Sequence, residues 1–152
     1  MKDIKITTKI AFALLRLIKN MGLKERIIKI SKEQMKLTAK QQELYRDLYS
    51  RNEDKGEDIT PEVASRLLNE YVDLSKEITD IDITLNDIGL EFAYDVIEKL
   101  EEVEKEFNKT MAVIFGVKEK EIEEKEIDEV IEMIMNIFKS KSFQGLFNKM
   151  NK

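Results

Sequence analysis

Apolar residues along this chain recur mainly with the period of a helix. Between Thr8 and Met21 they fall at Ile10, Ala13, Leu14, Leu17, Ile18 and Met21, the i, i+3, i+4, i+7 spacing that gathers one helical face. Thr8 is placed to cap this helix. Gly22 is placed to end it, because glycine takes the left-handed conformation at a helix C-terminus without a Cβ clash. A longer, more polar helix is expected from about Leu23 to Tyr49. Its apolar positions Ile27, Ile28, Ile30, Met35, Leu37, Leu44, Tyr45 and Leu48 thin out after Ile30, which predicts a half-exposed element.

The segment SRNEDKGEDI (50–59), charged and centred on Gly56, is the clearest loop. TPE (60–62) restarts a helix with Thr60 as N-cap and Pro61 in the first helical position, and Leu67, Leu68, Tyr71, Val72 and Leu74 carry it onward. In TDIDITLND (79–87), Ile81, Ile83 and Leu85 alternate as they would in a strand. A lone strand has no partner here, so a kink or turn between helices is expected. Helical spacing resumes at Ile88, Phe92, Val96 and Leu100 and passes through an acidic bridge (98–110) to MAVIFG, ending at Gly116. A charged helical turn (118–125) follows, and then a helix in which eight of the twelve residues 127–138 are apolar. SKSFQGLF (140–147) closes as a short helix from near Ser142. The pattern predicts an all-α fold: one compact domain over residues 1–152, with about six or seven helices and no significant sheet.

Composition agrees and narrows the chemistry. One Pro and five Gly leave little to break helices, and 38% charge beside 42% apolar residues describes a folded chain with a heavily solvated surface. Cys, His and Trp are all absent. That removes thiolate nucleophiles, Cys-ligated zinc, and the commonest general base and transition-metal ligand. No glycine-rich phosphate loop, nucleophile elbow or cofactor fingerprint occurs. No catalytic, metal-binding or cofactor-binding residue is nominated, and an enzyme is not expected. The run IAFALLRLI (10–18) is too short to span a bilayer and is interrupted by Arg16; with Asp3 near the start and no cleavage signature, a cytoplasmic protein with no membrane partner is expected.

The net charge of −5 conceals a polarity. Residues 1–52 carry 13 Lys/Arg against 5 Asp/Glu, and the remainder carries 13 against 26. A basic helical half (1–52) thus meets an acidic helical half (60–152) across the 50–59 loop. Lys5, Lys9, Arg16, Lys19, Lys24, Arg26, Lys29, Lys32, Lys36 and Lys40 could neutralise phosphates, but they spread around their helices with no base-reading pattern. Pairing with the acidic half, within or between subunits, is expected instead. A small DNA-binding or regulatory protein remains the alternative, beside a generic helical dimerisation module. DIDITLNDIGLE (80–91) places Asp80, Asp82, Thr84 and Glu91 at calcium-loop positions, but Leu85 stands where such a loop needs Gly. The carboxylates of 119–129 alternate with Lys118, Lys120 and Lys125 and read as a solvated face.

The apolar 127–138 helix must be central to the core or completed by a partner. Ile131, Ile134, Met135 and Phe138 follow helical spacing and are expected in the core. Met133 and Ile137 on its flank, with Phe143, Leu146 and Phe147 beyond it, are the candidate protein-interaction residues.

The order of these segments resembles the tail assembly chaperones of long-tailed phages and prophages of Gram-positive bacteria. The likeness is carried by Ile88–Gly89 on an apolar helix, an acidic bridge from Glu102 to Glu106, the stop at Gly116, the helix from Glu129 to Phe138, and Phe143 to Phe147. The opening TKIAFALLRLIKNMGLKERI also looks like the family's start. It covers about residues 8–30 and 87–150; the middle, roughly 31–80, is longer and more charged than the family pattern and has no match in it. The resemblance implies an all-helical, self-associating protein of the host cytoplasm, not expected in the mature virion. It also implies a role in keeping an aggregation-prone tape measure protein in solution and recruiting tail tube subunits, with no cofactor.

Overall fold

A computed structural model describes residues 4–150, with side chains through residue 146. Among these are seven α-helices and no strand: α1 Thr8–Met21, α2 Lys24–Ser50, α3 Pro61–Glu70, α4 Val72–Phe115, α5 Glu119–Glu123, α6 Ile127–Lys139 and α7 Lys141–Met150. The all-α expectation holds. Contacts divide the chain into two units, one of residues 1–32 with 88–152 and one of residues 33–87. The division falls elsewhere than the charge boundary in the 50–59 loop.

Helix ends follow local chemistry. Thr7, not Thr8, caps α1: its Oγ1 accepts from the Ile10 amide at 3.3 Å. Gly22 (φ 70°) ends the helix, and the Leu23 amide reaches back to the Ile18 carbonyl at 3.1 Å. The same device recurs at Gly116 (φ 66°), where the Val117 amide reaches the Ala112 carbonyl at 3.0 Å. Thr60 and Pro61 open α3 as expected, with Thr60 Oγ1 accepting from the Val63 amide at 3.3 Å.

Two breaks are redrawn. The chain leaves the helical conformation at Tyr71 (φ −104°, ψ 74°), where α3 stops and α4 starts, although the apolar spacing runs on. Conversely, no turn interrupts 79–87. Leu74, Ile78, Ile81, Ile88, Phe92 and Val96 are all buried, a stripe of helical spacing, while Ile83 is exposed. The strand-like alternation of Ile81, Ile83 and Leu85 is thus one buried, one solvent-facing and one half-buried position on a continuous helix. Thr84 is accommodated there because its Oγ1 donates to the Asp80 carbonyl at 2.9 Å. The calcium-like stretch therefore lies inside α4 and forms no loop. The only departure within α4 is at Val103 (φ −132°, ψ 24°), with no Pro or Gly beside it.

In the 33–87 unit, Leu48, Val63, Leu67, Leu74 and Ile78 form the core, with Leu44, Tyr45, Tyr49, Leu68 and Tyr71 packed against it. The 50–59 segment is folded rather than merely charged. Asn52, only 3% exposed, donates to the Asp54 carbonyl and Glu57 Oε2, and its Oδ1 accepts from Arg66 Nη2 at 2.8 Å. Arg51 sits 5.0 Å over the Tyr71 ring. In the other unit the buried residues include Ile10, Leu14, Leu17, Ile18 and Met21 of α1, Phe107 and Met111 of α4, and Phe138 of α6, whose ring lies 5.0 Å from Phe92 and 5.9 Å from Phe143.

Candidate protein-interaction surface

The C-terminal residues nominated from sequence do not form one exposed face. Ile137 is 6% exposed and Phe143 3%, so both belong to the protein's own interior. Met133 and Leu146 are half-buried, and the Phe147 side chain lies outside the described residues. The correction has a local cause. Ser140 is extended (φ −66°, ψ 143°) and ends α6; its Oγ donates to the Ile137 carbonyl at 2.7 Å and accepts from the Phe143 amide at 3.2 Å. That pair of bonds starts α7 at once and brings Phe143 beside Phe138. The buried stripe of α6 becomes Val130, Ile134, Ile137 and Phe138, while Ile131 and Met135 are only half-buried. With eight apolar residues in twelve, spacing alone left the inward face of α6 underdetermined.

Exposed apolar side chains lie elsewhere, with Val72, Phe12, Ile83, Tyr94, Ile127 and Val113 all at least half exposed. Phe12 is 61% exposed although its helix buries five neighbours. It stands with the half-buried Leu15 between Arg16 and Lys19. Around the same helix, an open groove of about 250 Å³ runs between Lys9, Ile10, Ala13 and Arg16 of α1 and Glu106, Lys109, Thr110 and Val113 near the end of α4. Val113 is 50% exposed. On each helix the lining residues recur at i, i+3 or i+4, i+7, so each element presents one stripe to the groove.

Charge is one-sided here. Lys9, Arg16, Lys19 and Lys109 make no ion pair with any described residue. The single carboxylate, Glu106, accepts from Asn20 Nδ2 at 2.8 Å. Of the ten basic residues from Lys5 to Lys40, Arg26 alone pairs with the acidic half among the described residues, at 3.0 Å to Asp95 and 3.7 Å to Glu91. Among the described residues, the expected pairing between the halves is therefore confined to Arg26. The basic excess stays on the surface, and apolar side chains are set among it.

The sequence contained a signal for this surface. Phe12 is an aromatic residue off the inner stripe of a strongly amphipathic helix, flanked at helical spacing by Lys9, Arg16 and Lys19. Val113 carried no such signal, because MAVIFG is apolar throughout. Another exposed apolar residue, Ile127 (54%), has the opposite setting, between Glu126 and Asp128.

No protein-family model, curated protein or solved structure matches this chain.

Proposed function

We propose that this protein is a tail assembly chaperone of a long-tailed phage or prophage, a non-enzymatic helical protein that keeps a tape measure protein in solution until tail tube subunits replace it. One observation carries the reading. The sequence resemblance covers about residues 8–30 and 87–150, and the contacts separate residues 1–32 with 88–152 from residues 33–87. Two independent criteria, residue pattern and spatial contacts, part the chain at nearly the same places. The family-like residues then make up one structural unit, and the unmatched middle is a unit with its own core. The exposed Phe12 and Val113 support a protein-binding role, since an aromatic side chain left in water beside a groove gains by contact with another chain. Transient clients are suited to weak, many-copy binding that can be displaced, and self-association of the chaperone belongs to this proposal.

The reading is tested first by gene neighbourhood: a tail tube gene upstream and a very long tape measure gene downstream are expected. Co-expression should then move that tape measure protein from the pellet to the supernatant. A genome without those neighbours, or an unchanged pellet, removes the reading.

A further inference from the structure

We infer that the groove between α1 and the end of α4 docks an acidic amphipathic helix of a partner protein over an apolar floor of Ile10, Ala13 and Val113, with Phe12 on the adjoining face of α1 at its edge and Lys9, Arg16 and Lys109 selecting acidic flanks. The inference rests on the reading of this protein as one that binds other chains, and adds where and what it binds.

Two stripes, one on each helix, line the groove. Ile10 and Ala13 on α1 and Val113 on α4 give an apolar floor, and Phe12, 61% exposed, lies outside that lining on the adjoining α1 patch that shares Arg16 with the groove. A partner helix laid there would bury apolar residues at i, i+3 or i+4 and i+7, the helix-in-groove mode. The charge argument decides the flanks. Lys9 and Arg16 are seven residues apart, two helical turns or roughly 10 Å along the axis. Carboxylates spaced by two turns on a partner helix repeat at the same interval. Lys109 supplies a cation from the opposite wall, and Glu106 already accepts from Asn20. A basic partner would face three cations against the single carboxylate of Glu106, which costs affinity and slows encounter.

Two other occupants fit less well. A phosphate backbone would use the cations but leave Phe12 and Val113 in water, and those are the residues whose exposure needs a partner. A second copy could offer Ile127 between Glu126 and Asp128, but Ile127 is the first residue of α6 and presents no two-turn apolar stripe there.

The test uses the full chain and two fluorescein-labelled synthetic helical peptides with the same apolar stripe, one flanked by Glu and one by Lys, titrated by anisotropy. The acidic peptide is expected to bind at least about tenfold more tightly. Phe12→Ser should weaken it by at least about tenfold with an unchanged circular dichroism spectrum. Lys9→Glu combined with Lys109→Glu should reverse the order of the two peptides. Equal binding of both peptides, or undiminished binding by Phe12→Ser, overturns the inference. So does duplex DNA displacing the acidic peptide from wild type and Phe12→Ser alike. A wild-type dimer that ignores both peptides and becomes monomeric on Phe12→Ser assigns the groove to a second copy and equally overturns it. The co-expression assay separates the two levels. Phe12→Ser that still holds the tape measure protein in the supernatant sinks the groove and spares the chaperone reading. Wild type that binds the acidic peptide but leaves the tape measure protein in the pellet does the reverse.

Discussion

Phe138 and Phe12 show how differently one residue type is used. Phe138 is 1% exposed, between the rings of Phe92 and Phe143, and its truncation leaves a cavity that packed neighbours cannot close. Phe138→Ala should cost about 3–5 kcal/mol, read as a shift in the urea midpoint. Polar residues also have settled tasks. Gln41 Nε2 donates to the Ile78 carbonyl at 3.2 Å and to Asp82 Oδ1 at 2.5 Å, tying α2 to α4 within the 33–87 unit. Beside it, burial first, then the charge of Asp82 and the phenol of Tyr49, raise the Tyr45 hydroxyl above its usual value near 10. The fold thus favours the neutral phenol: this contribution to stability is complete below the unfolded pKa and is lost as pH rises through the folded one. Tyrosinate absorbance should show a late step, above the usual value for a tyrosine hydroxyl, and unfolding should become easier over that alkaline range. Tyr45→Phe should remove the late step; if the step persists, another tyrosine is responsible.

At the scale of elements, α4 and α6 meet closely at Gly89. A Cβ placed there would lie 3.5 Å from Met135 Cε, 3.8 Å from Lys139 Cε and 3.9 Å from Phe138 Cδ1, which is ordinary van der Waals contact. Gly89 does not have positive φ, unlike Gly22 and Gly116, so alanine meets no backbone strain. Gly89→Ala should stabilise the protein by about 0.5–1 kcal/mol through helix propensity, measured by chemical unfolding. A loss of stability instead would mean that α4 and α6 require the glycine's close approach. The helix boundaries divide by mechanism. The stops at Gly22 and Gly116 and the start at Thr60–Pro61 are written in single residues with special backbone preferences. The break at Tyr71, the continuity through 79–87 and the departure at Val103 carry no such residue.

For the whole molecule, charge and core act separately. The ion pairs made by Arg26, Arg51, Arg66, Lys120 and Lys125 lie between partly exposed groups, each worth about 0–1 kcal/mol, while nine of the ten basic residues from Lys5 to Lys40 have no ionic partner among the described residues. Raising salt from about 0.1 M to about 1 M screens repulsion among those cations as well as the few attractions. The unfolding midpoint should therefore hold or rise; a fall of more than about 2 kcal/mol in stability would show that the pairs matter more than their exposure suggests. The all-α class, most helix ends and the absence of His and Cys chemistry were readable from sequence, because they depend on period, on capping residues and on composition. The inward face of α6 was not, because a helix apolar on most sides presents several equivalent stripes. Ser140, by turning the chain into α7 and setting Phe143 beside Phe138, selected among them. Nor could spacing reveal the groove: Ile10 and Val113 are about a hundred residues apart, and only the packing of α1 beside α4 brings them to one groove. Sequence by itself determined what each segment forms and which residues are polar or apolar. The tertiary structure decided which apolar residues are left in water, because burial is a property of neighbours and not of residue type.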